Sequence, residues 1–158
     1  MRAIILMLSF FSLIGTGVLR AESDDDVIRN ITGRWNIDLG VNQGNEVPSE
    51  KLAGTFAIIT PTTITTYDSK EKEAYKASYK LNSATSPMQI DMVATRGGVQ
   101  VTSLGLIKFE PLDKDKQQRI TLIYSLDPHE RPSAFESPVG SKLMLFEMHS
   151  NLPTPGPR

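Results

Sequence analysis

The 158-residue chain contains no cysteine, a single tryptophan and only two histidines. Without cysteine there is no disulfide staple, no thiol nucleophile, no thiolate-held zinc or iron–sulfur centre, and no lipid-modified cysteine to anchor an exported protein. A small domain of this kind must be held together by its apolar core alone. Basic excess is also missing: 17 Lys and Arg stand against 18 Asp and Glu, for a formal net charge of −1. No basic stripe offers phosphate contacts, so no nucleic-acid partner is expected. The chain has no Gly-X-Ser-X-Gly elbow, no glycine-rich phosphate loop and no His-Glu-X-X-His helix. It therefore reads as a non-enzyme, with no catalytic residue, cofactor or metal assigned.

The one long apolar run lies at the start. Met1-Arg2-Ala3 supplies a positive charge, residues 4–14 are apolar apart from Ser9 and Ser12, and Gly15-Thr16-Gly17 breaks the run before Ala21. Residues 1–21 thus read as a signal peptide cut after Ala21. The run is shorter than the roughly 20 residues a membrane-crossing helix needs; an uncleaved anchor is the other reading. The expectation is an extracytoplasmic protein, periplasmic or secreted, with no membrane span after cleavage. Loss of Arg2 and Arg20 makes the mature chain two charges more acidic.

Residues 22–30 read as an acidic linker, or as a single helical turn opened by Asp24-Asp25-Asp26. Beyond them the pattern has period two, with one face apolar. Eight strands are expected, over residues 34–41, 54–60, 62–67, 73–81, 87–94, 103–112, 118–126 and 142–149. In the first, Trp35, Ile37, Leu39 and Val41 share a face; in the fourth, Tyr75, Ala77, Tyr79 and Leu81 oppose Ala74, Lys76, Ser78 and Lys80. In the seventh, Ile120, Leu122, Tyr124 and Leu126 align. Gly97-Gly98 signals a turn, and residues 113–117 a charged hairpin loop. Residues 151–158, with three prolines, read as a disordered tail. Eight short strands with hairpin-length connections favour an all-β, eight-stranded antiparallel up-and-down barrel over a sandwich. One domain is expected, over residues 31–150.

Gly33-Arg34-Trp35 resembles the Gly-X-Trp signature on the first strand of lipocalins, where the Trp seals the closed end of the barrel. Several segments in order are similar to a lipocalin-like domain of unknown function that recurs in planctomycete bacteria. They are residues 31–35, 79–81 with 87–92, 104–109, the loop Glu130-Arg131-Pro132-Ser133-Ala134-Phe135, and the apolar strand 143–148. Ile107 and Lys108 depart from that family's pattern. The resemblance implies a bacterial, exported, lipocalin-like barrel and brings no activity or catalytic residue with it. By analogy with lipocalins, Arg131 is expected to pack on the Trp35 indole, with Pro132 and Phe135 fixing the loop by packing. Residues 35–40 are also similar to the first strand of avidins. Ile37 stands where their ligand-contacting Asn falls, so a biotin site is not expected.

Alternation nominates Tyr79, Met88, Ile90, Met92, Leu122 and Tyr124 as a pocket lining suited to a small hydrophobic or amphipathic ligand. The same residues equally describe a filled core, which would make the barrel a structural or protein-interaction domain. Three polar groups complete the list. His129 with Asp127 and Glu130 is a partial ligand set on a solvated loop. Asp91 reads as a solvent-facing carboxylate, or as an interior acid paired with an Arg; Asp91 and Glu147 together are a candidate carboxylate pair for acid–base work. His149 is expected to face water.

Overall fold

A computed structural model describes residues 22–111 and 117–150. The proposed signal peptide, residue 112, most of the 113–117 loop and the tail at 151–158 lie outside the described residues. The chain forms helix α1 (Asp24–Ile31), strand β1 (Gly33–Asn42), a two-residue β2 (Asn45–Glu46), the short helix α2 (Ser49–Leu52) and then seven strands. These are β3 (Phe56–Ile59), β4 (Thr63–Tyr67), β5 (Glu73–Asn82), β6 (Met88–Arg96), β7 (Val99–Glu110), β8 (Gln118–Ser125) and β9 (Leu143–Ser150). Each long strand pairs antiparallel with its sequence neighbour, and β9 returns to β1. The result is a closed eight-stranded up-and-down barrel, with β2 a spur on the end of β1. Closure removes the exposed edges that an open sheet would present.

Residues 22–30 are not a linker. Ser23 caps α1 and forms a reciprocal capping box with Asp26, Asp24 to Asp26 occupy the positive end of the helix, and Arg29 sits in the last turn. The spacing of Val27 and Ile31 puts both on one face, and both are fully buried in the barrel core. Burying two such side chains contributes about 1.5–3 kcal/mol each, enough to order a helix too short to stand alone. The Asp24 carboxylate accepts the Ser83 N–H at 2.7 Å and ties α1 to the β5–β6 turn.

At the same end Trp35 is 1% exposed and donates its indole N–H to the Ile31 carbonyl at 2.7 Å. Phe109 meets the indole edge-on, with centroids 6.4 Å apart. Gly33, between helix and strand, has φ +146°, which side-chain-bearing residues rarely adopt. Gly105 is required for a different reason. A Cβ there would lie 2.5 Å from the Ile123 carbonyl oxygen on the neighbouring strand.

The first strand departs from simple alternation. Trp35 and Ile37 belong to the interior cluster, but the pairing of β1 with β9 shifts between Ile37 and Leu39. Asp38 is the extra residue of a β-bulge, so the phase flips and Leu39 and Val41 point to the outer wall. There they join Leu106, Ile123, Leu145, Phe135 and Leu143 in a second apolar cluster. This outer stripe is covered by the long β8–β9 loop, which lies along the barrel wall. Leu126, expected on the inner face of β8, falls just past the end of that strand and is exposed.

Candidate functional site

The barrel interior is filled at one end and hollow at the other. Near α1 the space is occupied by Ile31, Trp35, Ile59, Tyr79, Ile90, Ile107 and Ile120. Tyr79 donates its hydroxyl to the Thr60 carbonyl at 2.8 Å, and burial pushes its pKa up to about 12. At the opposite end, beneath α2 and the β4–β5 turn, lies a cavity of about 310 Å³. Its floor and walls come from Ile37, Ala57, Ile64, Met92, Leu122, Phe146 and Met148. Tyr75, Tyr124 and Thr66 line it higher up, and Lys51, Leu52 and Asp68 stand at its mouth.

Of the six residues nominated for the pocket, Met92, Leu122 and Tyr124 line the cavity. Tyr79, Met88 and Ile90 share the inward face but sit in the filled half, packed in or against the main core. The physical reason is that alternation reports which wall a side chain faces and is silent about its height along the barrel axis. Tyr75 signals the missing half, since it lies four residues toward the open end of the same inward row as Tyr79.

The phenolic hydroxyls of Tyr75 and Tyr124 make no hydrogen bond to another group among the described residues, and both are reached by solvent rather than buried without a partner. Tyr124 is 8% exposed and its ring stacks on Phe146, with centroids 6.3 Å apart. Burial first, and the nearby Tyr75 second, raise the Tyr124 pKa well above the ordinary phenol value. Both phenols are therefore neutral donors at neutral pH. Arg96 ends the inward row of β6, and its guanidinium lies 5.8 Å from the centroid of the Tyr75 ring. The Asp68 carboxylate is turned into its own loop, where the Lys70 and Lys72 backbone N–H groups, each at 2.9 Å, hold its pKa below the usual value.

The remaining sequence-nominated groups lie outside the barrel. Arg131 does not reach Trp35. Its Nη1 donates to the carbonyls of Gly105 at 2.6 Å and Ile90 at 3.2 Å, and its Nη2 pairs with Asp91. It is thus a clasp that fastens the β8–β9 loop to the outer wall; the loop leaves from the open end, away from the indole. Pro132 is buried and Phe135 packs on the outer apolar cluster. Asp91 faces outward, its side chain 51% exposed, and pairs with Arg131 across the wall rather than inside it. Glu147 lies three strands away on β9, a separation of about 14 Å at about 4.8 Å per strand, so the two carboxylates form no acid–base pair.

Asp127 accepts the His129 backbone N–H at 3.1 Å and the Lys142 ammonium at 3.0 Å. Its carboxylate is engaged within the loop, and the His129 ring is exposed. His149 is more enclosed than the sequence suggests, with its side chain 22% exposed. Its Nδ1 meets the Asp38 carboxylate at 2.7 Å, because the bulge turns Asp38 toward β9. Among the described residues no group of three His, Asp or Glu side chains is arranged to hold a metal ion, and no helix is long and apolar enough to cross a membrane.

Fold and interior define the class: a closed eight-stranded antiparallel β-barrel with a plugged end and a hollow mouth. No protein-family model, no curated protein and no solved structure matches the chain.

Proposed function

We propose that the protein is an exported binding barrel that holds one small hydrophobic or amphipathic molecule in the cavity at its open end. The observation that carries this reading is the 310 Å³ hollow, lined by apolar side chains and opening past Lys51 and Leu52. Its volume lies at the lower end of the range for small-molecule sites, about 300–1,000 Å³, and its lining has the composition such sites share: mostly apolar, with a few hydrogen-bonding groups. A signal peptide over residues 1–21 and the resemblance of the chain to lipocalin-like domains agree with a role outside the cytoplasm.

The experiment is a paired extraction. Purified from the exported fraction of cells, the wild-type protein should release a small amphipathic molecule into organic solvent at about one equivalent. Thr66→Phe, which fills the upper cavity between Ala57 and Tyr75, should release none. Extracts that are indistinguishable by mass spectrometry would overturn the reading.

A further inference from the structure

Resting on the binding reading above, we infer that Leu52 sets the upper size of the molecule the barrel holds. Its side chain is the partition between the cavity and a groove on the outer face of the same wall.

The partition stands where the wall lacks a strand. β3 begins at Phe56, and its ladder with β1 ends at the pair of Asn36 and Phe56. β1 runs on to Asn42, so from Ile37 to Gly40 it has no ladder partner on that side. One longer bond, from the Ile37 N–H to the Thr55 carbonyl at 3.3 Å, carries the contact a step further. Beyond it the gap is closed by residues 47–55, anchored by the Val47 N–H on the Gly40 carbonyl at 2.7 Å. A single turn of helix, α2, thus takes the place of a strand. It buries no side chain fully, and Pro48 gives it no side-chain cap.

Hollow space lies on both sides of this turn. Inside is the cavity; outside is a groove of about 310 Å³ bounded by Asn36, Asp38, Ser49 and Gly54. Ile37, Leu52 and Thr55 line both. Ile37 is fixed in β1, opposite Met148 on β9. Thr55 is tied down by its N–H and its hydroxyl, which donate to the Leu52 carbonyl at 2.9 and 2.7 Å. Leu52 alone of the three stands on neither a strand nor a hydrogen-bonded side chain. Its isobutyl group is therefore the part of the partition that a substitution removes without breaking the wall, and shortening it to a methyl group joins the cavity to the groove.

With Leu52 in place, about 310 Å³ is room for about ten water-sized groups at about 30 Å³ each. Naphthalene matches that size and pyrene exceeds it. Both are uncharged, so Lys51 and Asp68, which line the cavity with opposite signs, favour neither. Fluorescence titration of the full-length mature protein with each probe tests the inference. Wild type should bind naphthalene and exclude pyrene. Leu52→Ala should bind pyrene about tenfold more tightly than wild type does and leave naphthalene within about twofold. Leu52→Met, which conserves volume, should behave as wild type. Saturable binding of pyrene by the wild type, or unchanged pyrene affinity in Leu52→Ala, would overturn Leu52 as the size limit while leaving the binding reading intact. Failure of naphthalene to bind wild type and both variants would overturn the two together.

Discussion

Trp35 hands its indole N–H to the carbonyl of Ile31, four residues back, at 2.7 Å. That carbonyl belongs to the last turn of α1, where helix oxygens have no partner of their own. One bond therefore finishes the helix, seats the largest side chain of the core and locks the plug into the barrel. Trp35→Phe removes the bond and some of the volume while keeping an aromatic ring. It should cost about 2 kcal/mol of stability, read from the denaturant midpoint at unchanged slope. A loss below about 0.5 kcal/mol would mean that α1 docks without it.

The Arg131 clasp should matter for a different reason. Its guanidinium bonds two backbone carbonyls of the barrel wall as well as Asp91. Arg131→Ala should cost about 2 kcal/mol, because hydrogen bonds made by a charged donor to partly buried carbonyls are strong and those acceptors lose their partner. Asp91→Ala, which breaks only the half-exposed end of the pair, should cost under about 1 kcal/mol. Equal losses in the two variants would place the strength of the clasp in the ion pair rather than in the carbonyls. Hydrogen exchange in residues 127–141 should quicken in Arg131→Ala and stay slow in Asp91→Ala.

Close approach at Gly105 gives a third test. A methyl group there meets backbone oxygen on β8 and the Ile90 side chain on β6. Gly105→Ala should therefore destabilise by about 1–3 kcal/mol, the usual cost of overpacking. Gly98→Ala, at the β6–β7 turn, meets no atom within 4 Å. Its cost should come only from its positive φ, and be smaller.

Acid should loosen α1 first. Ser83 holds the Asp24 carboxyl below its ordinary value, and Ser23, joined by Arg29, does the same for Asp26. Groups whose pKa is lower folded than unfolded contribute stability above the unfolded value, near 3.9, and lose it as pH falls through the folded value. Stability followed by Trp35 emission should thus be flat from pH 7 to about 5 and fall below about 4. The Asp24→Asn/Asp26→Asn variant should start lower at pH 7 and fall less steeply in acid. Parallel acid limbs for the two proteins would assign the transition to other carboxylates.

How far the sequence reached differs from element to element. The fourth expected strand is legible because Lys76, Ser78 and Lys80 alternate with Ala77, Tyr79 and Leu81, and in β5 the first set is exposed and the second faces inward. Up-and-down order follows from short connections, and the pairing bears it out. The bulge at Asp38 was hidden, since Leu39 and Val41 continue the apolar alternation of Trp35 and Ile37. Only the outer apolar stripe, covered by a loop from far along the chain, gives them a reason to face away from the interior. The eight residues of α1 fall below the length at which periodicity is persuasive, and the capping pair Ser23 and Asp26 was the available signal. Analogy with lipocalins puts Arg131 on Trp35, but the path of its loop, not its chemistry, decides what it touches. Within the cavity, residue type and face were readable in Met92, Leu122 and Tyr124; height along the axis, which separates them from Ile90 and Tyr79, was not.

The most direct test of the hollow mouth is a fluorescence titration with an environment-sensitive naphthalene sulfonate dye, comparing wild type with Thr66→Phe at equal stability. The wild type should bind one equivalent saturably, with blue-shifted emission, and Thr66→Phe should bind about tenfold more weakly or not at all. Absence of saturable binding in the wild type, or equal binding by both proteins, would contradict a ligand-holding cavity.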